Sequence, residues 1–126
     1  MDKILVVDDE PGICHSFKKI LGRYDYDVLT ASSGEEAMDL AGKELPDLVI
    51  MDINMPGMDG IQATQIIHKE LPRIRIIGLS MFQEGEQQAA MHEAGAVNYL
   101  TKSGPSETLI DAIRASVRIS EQIESD

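Results

Sequence analysis

Short apolar runs alternate along the chain with stretches in which apolar residues recur at helical spacing. The runs Lys3–Val7, Leu48–Met51 and Ile74–Leu79 are apolar almost throughout, as expected of strands covered on both faces. A more polar run at Asp27–Ala31 is expected at a sheet edge, and Ala96–Leu100 completes a set of five. The alternation predicts an α/β fold, a five-stranded parallel sheet with helices on both faces.

Local residue types mark where the first three helices begin and end. Pro11 is typical of a first helical turn, and Gly22 is typical of a helix C-terminus. Ser33 followed by Glu36 matches a capping box, and Asp59 is the predicted N-cap of the third helix. These signals place one helix after each of the first three strands.

The last two predicted helices differ in amphipathicity. The stretch Glu86–Ala94 is short and polar, so we expect it to be the least stable helix. The final helix has an apolar face at Leu109, Ala112, Ile113 and Val117. We expect one domain over residues 1–120, with residues 121–126 as a polar tail or the start of a linker.

The composition and charge of the chain limit the classes of partner that it can bind. The chain has 126 residues, which fits a single domain, and a formal net charge of −11. That charge opposes direct binding to nucleic acid or to an anionic membrane surface. Cys14 is the one cysteine, which excludes an internal disulfide, and no apolar run approaches the length of a membrane span. We therefore expect a cytoplasmic protein.

Polar side chains follow the predicted strands at the points where the strands end. In a doubly wound sheet these ends meet at one edge, where ligands bind. The flavodoxin-like strand order 2-1-3-4-5 makes the first and third strands neighbours, so that Asp8, Asp9 and Asp52 share one pocket. The other polar residues at this edge are Asn54, Ser80, Thr101 and Lys102.

A cluster of three aspartates needs compensation. Two carboxylates about 5 Å apart repel by roughly 3 kcal/mol at an effective dielectric constant near 20, so either one is protonated or a cation lies among them. Because all the candidate ligands are oxygens, Mg²⁺ (or Mn²⁺) is preferred. With Lys102 opposite, the set suits an anionic tetrahedral group on a carboxylate, as in an aspartyl-phosphate.

The ordered set of motifs resembles the CheY-like receiver domain of two-component response regulators over essentially the whole chain. The residues that carry the resemblance are Val7–Glu10, Val49–Gly57, Gly78–Ser80 and Gly95–Lys102. The sequence around Ser80 and Lys102 is similar to NarL/FixJ-type receivers, which often precede a LuxR-type DNA-binding domain, and to the receivers of hybrid histidine kinases.

The resemblance implies roles for individual residues at the sheet edge. Asp52 would accept a phosphoryl group from a phosphohistidine on a sensor kinase or phosphotransfer protein. The side chains of Asp9 and Asp52 and the carbonyl of Asn54 would bind Mg²⁺, with Asp8 acting through a water. Lys102 would contact the phosphoryl group. A receiver on its own would have no enzymatic activity beyond its own phosphorylation and slow dephosphorylation, whereas a parent hybrid kinase would be a transferase.

The resemblance also implies a conformational switch. The Ser80 hydroxyl would move toward the phosphoryl group and the Tyr99 ring would move inward with it. The fourth helix, fifth strand and fifth helix would then form a surface for an output domain, a partner protein or a homodimer.

Three residues depart from the pattern of the receiver family. Ser103 follows Lys102 where many receivers have a proline in a cis peptide, and the large residues Met81 and Phe82 follow Ser80.

The main alternative class is a Mg²⁺-dependent phosphatase with an aspartate nucleophile. In the pattern typical of such enzymes, however, the nucleophile lies on the first strand, whereas Asp52 follows the third. No G-x-x-x-x-G-K-[ST] or G-x-G-x-x-G motif supports a nucleotide or flavin binder.

Overall fold

The computed structural model describes residues 2–81, 85–102 and 106–125, with side chains of the last helix described for residues 107–117. Five strands and five helices alternate within these ranges. The strands are β1 (Lys3–Val7), β2 (Asp27–Ala31), β3 (Leu48–Asp52), β4 (Arg75–Ser80) and β5 (Asn98–Thr101). The helices are α1 (Pro11–Gly22), α2 (Gly34–Glu44), α3 (Gly60–Glu70), α4 (Gly85–Ala94) and α5 (Ser106–Ser125).

All neighbouring strands are parallel, in the order β2-β1-β3-β4-β5. The predicted α/β class, strand order and edge position of β2 are therefore confirmed. Because β1 and β3 pair with Val7 opposite Met51, the residues that follow these strands reach the sheet edge side by side.

Two apolar layers cover the sheet. Along β1 the side chains alternate: Leu5 and Val7 pack under α2, α3 and α4, whereas Ile4 and Val6 pack under α1 and α5. Complete burial of one such side chain stabilises the fold by about 1.5–3 kcal/mol. Among the buried apolar helix residues on the two faces are Ala37, Ala41, Ala63, Ile67, Met91, Cys14, Leu21, Ile110, Ile113 and Val117.

Two predicted helix caps are present. The Ser33 hydroxyl accepts a hydrogen bond from the Glu36 amide (3.1 Å), and Asp59 accepts one from the Gln62 amide (2.8 Å). The Glu36 carboxylate accepts from the amide and hydroxyl of Ser32, one residue earlier than a capping box requires. Side-chain oxygens thus satisfy amide groups that the first turns of α2 and α3 leave unpaired.

Some element boundaries differ from the predicted ones. β5 begins two residues later than predicted because the Ala96 amide donates to the Met91 carbonyl of α4 (2.9 Å). Of the ten residues of α4, only Met91 and Ala94 are described as buried, in line with its polar sequence. α5 runs to Ser125, so residues 121–125 continue the helix. Within the described ranges, no helix combines the length and the apolar character needed to cross a bilayer.

Candidate phosphoacceptor and metal site

Three aspartates converge at the carboxyl edge of β1 and β3. One carboxylate oxygen from each of Asp8, Asp9 and Asp52 lies within 4.8 Å of the others. Asp8 and Asp52 are each only 1% exposed, whereas Asp9 is exposed at the rim. The three aspartates that the strand order predicted to lie together therefore do so.

Lys102 brings a positive charge into this cluster from the end of β5. Its Nζ lies 2.8 Å from Asp8 Oδ2, 3.6 Å from Asp52 Oδ1 and 3.8 Å from Glu10 Oε1. Burial lowers the pKa of Lys102, but the hydrogen bond to Asp8 and the charges of Asp52, Asp8 and Glu10 together raise it above its ordinary value. Lys102 is therefore an ammonium at neutral pH.

The Asp52 carboxyl is held at one oxygen only. Its Oδ1 accepts a hydrogen bond from the Asn54 amide (3.1 Å), while its buried Oδ2 has no hydrogen-bond partner among the described residues. Burial, with the charges of Asp8 and Asp9, raises the pKa of Asp52 to about 6, against the lowering effects of the Asn54 amide and Lys102. Such a carboxylate is open to an incoming cation or electrophile.

The donor set fits a hard divalent cation. The carboxylates of Asp8, Asp9 and Asp52 supply only oxygen ligands, and no described residue donates a hydrogen bond to Asp52 Oδ2. Asn54 lies at the rim, two residues beyond the end of β3, and its amide is committed to Asp52. The role of the Asn54 carbonyl as a metal ligand stays a prediction.

The two predicted switch residues lie on neighbouring strands, where Tyr99 of β5 pairs with Gly78, two residues before Ser80 at the end of β4. Ser80 ends β4, is fully buried, and its carbonyl accepts from the Lys102 amide (2.7 Å). Tyr99 in β5 is 6% exposed, and its hydroxyl donates to Gln87 Oε1 of α4 at 3.5 Å. The movements of Ser80 and Tyr99 on activation stay predictions.

Two contacts near the site and one beyond the far end of α1 were not assigned from the sequence. Glu10 belongs to the first motif, but its approach to Lys102 depends on how α1 starts. The Gln87–Tyr99 contact depends on how α4 packs on β5, for which no sequence signal exists. The Arg114 guanidinium lies 5.6 Å from the centre of the Tyr24 ring, on the α1 side of α5. The departures at Phe82 and Ser103 lie outside the described residues.

Comparison with known proteins identifies the class. The family model "Response regulator receiver domain" matches residues 4–114, and the chain belongs to this family. Phosphorylation of an aspartate is typical of these receivers of two-component systems, which generally use Mg²⁺.

Individual relatives differ in length. PilH of Pseudomonas aeruginosa is 37% identical, over 91% of this chain and 97% of that protein. The transcriptional regulatory protein LiaR of Bacillus subtilis is 36% identical, over 99% of this chain but only 60% of LiaR. A CheY-like receiver domain from Methanospirillum hungatei superposes with a TM-score of 0.92 at 28% identity, over 97% of this chain and 98% of that one. The fold is therefore CheY-like.

Proposed function

We propose that Asp52 is the phosphoacceptor of this receiver and that its phosphorylation depends on Mg²⁺ (or Mn²⁺). The observation that supports this assignment is the buried Asp52 carboxylate, in which one oxygen has no hydrogen-bond partner within the described part of the chain and which lies beside two other aspartates and an ammonium. A buried carboxylate that served only as a helix cap would have its oxygens engaged by amides.

The metal would be held by Asp9, Asp52 and the Asn54 carbonyl, with Asp8 acting through a water. When bound, the cation supplies positive charge that offsets the carboxylates and the oxygens of a transferring phosphoryl group. The chain's own part is to present ionised oxygens: above its pKa of about 6, Asp52 is mostly a carboxylate at neutral pH.

The donor of the phosphoryl group is a phosphohistidine on a sensor kinase or phosphotransfer protein. An Asp52 oxygen forms the new bond to phosphorus while the bond from phosphorus to the imidazole nitrogen breaks, and the departing imidazole takes a proton from solvent. Lys102, whose side chain is 6% exposed, is placed to contact a phosphoryl oxygen and balance its charge.

Readout passes from the site to a partner surface made of α4, β5 and α5. The Ser80 hydroxyl is the group proposed to move toward the phosphoryl oxygens, with Tyr99 moving alongside it. The contact of Tyr99 with Gln87 supports this route, because it joins β5 directly to α4. Because only Met91 and Ala94 of α4 are described as buried, a shift of this helix costs little free energy. This surface would bind an output domain, a partner protein or a second copy of the chain.

The receiver is proposed to act in the cytoplasm, as residues 1–120 of a larger regulator, with residues 121–126 leading toward another domain. The coverage of only 60% of LiaR supports a larger parent protein, as does the 34% identity to a LuxR-family response regulator from Aurantimonas. A LuxR-type transcription regulator and a hybrid histidine kinase are the two candidate parent proteins.

Intact-mass measurement after incubation with acetyl phosphate tests the proposal. The parent should gain the mass of one phosphoryl group with Mg²⁺ and none with EDTA, and Asp52→Asn should gain none under either condition. Equal labelling of both proteins would overturn the assignment of Asp52. Sustained release of p-nitrophenol from p-nitrophenyl phosphate would instead identify the alternative, an aspartate-nucleophile phosphatase.

A further inference from the structure

We infer that Gly60 is a positioning residue for the metal and phosphoryl site: its lack of a side chain lets the first turn of α3 rest directly on the backbone of Asp52 and Ile53. The inference rests on the proposed function of Asp52. Gly60 touches neither the metal nor the phosphoryl group, and it acts through the end of β3.

The contact at Gly60 leaves no room for a methyl group. A Cβ at this position would lie 2.1 Å from the Asp52 carbonyl oxygen, 2.7 Å from Ile53 Cα and 2.8 Å from the Asp52 carbonyl carbon. Real Cβ atoms essentially never approach other heavy atoms within 3.0 Å. The atoms in the way are backbone, so they cannot be relieved by a change of side-chain rotamer.

Neither side of this contact is free to move alone. The end of β3 is tied to β4, because Asp52 pairs with Leu79 and the Ile53 amide donates to the Leu79 carbonyl (3.2 Å). The start of α3 is fixed by the Asp59 cap and by the burial of Ala63 in the core. A methyl group at position 60 would therefore displace both the end of β3 and the start of α3.

The displacement would reach the proposed ligands. The Gly60 amide donates to the Ile53 carbonyl (3.3 Å), so the loop of residues 54–59 begins and ends at this contact. Asn54 is the first residue of that loop, and its amide holds Asp52 Oδ1. Met55, 7% exposed, anchors the loop in the core. Moving the base of the loop thus moves the Asn54 carbonyl and Asp52 relative to Asp8 and Asp9.

Other glycines provide the contrast. A Cβ at Gly12, Gly22 or Gly42 would meet nothing within 4 Å. Gly34, which is also the first residue of a helix, would place its Cβ 3.0 Å or more from atoms of Met58, among them atoms of a flexible side chain. Of these four positions and Gly60, only Gly60 is packed against the backbone of the phosphoacceptor.

The test compares Gly60→Ala with two controls. Gly42→Ala adds a methyl group in open space, and Ile67→Ala removes buried volume from the same helix α3, which matches a general loss of stability. Each protein is studied under conditions in which urea unfolding shows that it is folded. The readouts are the Mg²⁺ dissociation constant by calorimetry and the amide NMR shifts of residues 52–54 in the metal-free protein.

Gly60→Ala should weaken Mg²⁺ binding by about tenfold or more, as expected when a group that orients metal ligands is lost, and should shift the metal-free resonances of residues 52–54. Both controls should bind within about twofold of the parent. If Gly60→Ala bound Mg²⁺ as the parent does, or no more weakly than Ile67→Ala, the positioning role would be wrong. A parent that bound no Mg²⁺ would overturn the proposed metal site as well, so the two failures are distinguishable.

Hydrogen exchange in the parent protein covers the case in which Gly60→Ala does not fold. The Gly60 amide, bonded to the Ile53 carbonyl, should exchange far more slowly than a solvent-exposed amide of the same loop, and Mg²⁺ should slow it further. Exchange at the rate of a free loop amide would contradict the inference.

Discussion

Lys102 Nζ lies closer to Asp8 than to Asp52, at 2.8 Å from Asp8 Oδ2 against 3.6 Å from Asp52 Oδ1. The ammonium therefore satisfies chiefly the carboxylate that is proposed to reach the metal through a water. The buried Oδ2 of Asp52, the proposed phosphoacceptor, is left without a hydrogen-bond partner from residues 2–81, 85–102 or the described part of α5. This division of one positive charge between two aspartates keeps Asp52 available for chemistry at a cost in stability.

Removal of the Lys102 charge should destabilise the fold. Lys102→Gln leaves the buried carboxylates of Asp8 and Asp52 without a counter-ion, a change that typically costs about 3–5 kcal/mol. Urea unfolding at neutral pH without Mg²⁺ measures the loss. Lys43→Gln is the matched control, because Lys43 pairs with Asp39 on the exposed face of α2, and it should cost less than about 0.5 kcal/mol. Equal losses in the two variants would contradict a buried charge cluster.

Asp52→Asn should stabilise the metal-free protein at neutral pH and not in acid. Since folding raises the pKa of Asp52 from 3.8 to about 6, ionisation of this carboxyl opposes folding. Its penalty is absent below about pH 4, where the group is protonated in both states, and grows as the pH rises toward 6. The shift corresponds to about 3 kcal/mol at most.

Thermal and urea unfolding of parent and Asp52→Asn between pH 4 and pH 8 measure this difference. The difference in the free energy of unfolding between Asp52→Asn and the parent should increase with rising pH. Mg²⁺ should reduce this difference by stabilising the parent. Asp39→Asn on the surface should show no such trend. A gap of constant size across this pH range would show that the charge of Asp52 is not its source.

Gly78 provides space for the ring of Tyr99. A Cβ at Gly78 would lie 2.9 Å from Met91 Cε and 3.0 Å from Tyr99 Cδ2. Gly78→Ala should therefore overpack this junction of β4, β5 and α4 and lower the free energy of unfolding by about 1–3 kcal/mol. In a Met91→Ala background, which vacates that space, the same substitution should cost much less. Strictly additive effects in urea unfolding would contradict the packing argument.

Met81 is expected to slow dephosphorylation. Met81 is 50% exposed and immediately follows the buried Ser80, so we expect its side chain to obstruct the approach of water to a phosphoryl group on Asp52. Met81→Ala should raise the rate of loss of the phosphoryl group by at least about twofold, because less water is excluded. The exposed Val97 offers a control, since Val97→Ala removes an apolar surface group outside the acidic cluster. An unchanged rate in Met81→Ala would contradict the steric role.

Features set by local sequence were predictable, and features set by packing were not. The apolar run of β3 and the caps at Ser33 and Asp59 follow from residue types within a few positions, and all three are present. The start of β5 was misplaced because the Ala96 amide bonds to the Met91 carbonyl, a contact outside the strand pattern.

The same distinction applies to the site. The meeting of Asp8, Asp9 and Asp52 followed from strand order alone, since β1 and β3 must be neighbours in this topology. The pairing of Lys102 with Asp8 was not predicted, because it depends on side-chain positions at the end of β5. The close contact of Gly60 with Asp52 could not be predicted either, since a glycine at a helix start does not reveal which backbone lies against it.

Direct location of the phosphorylated residue tests the central claim. The protein is treated with acetyl phosphate and Mg²⁺, the acyl phosphate is reduced with borohydride to homoserine, and tryptic peptides are sequenced by mass spectrometry. Trypsin separates residues 44–69, which contain Asp52, from residues 4–18, which contain Asp8 and Asp9. The account predicts homoserine at position 52 alone. Homoserine in the peptide of residues 4–18, or at Asp47 or Asp59 instead of Asp52, would contradict it.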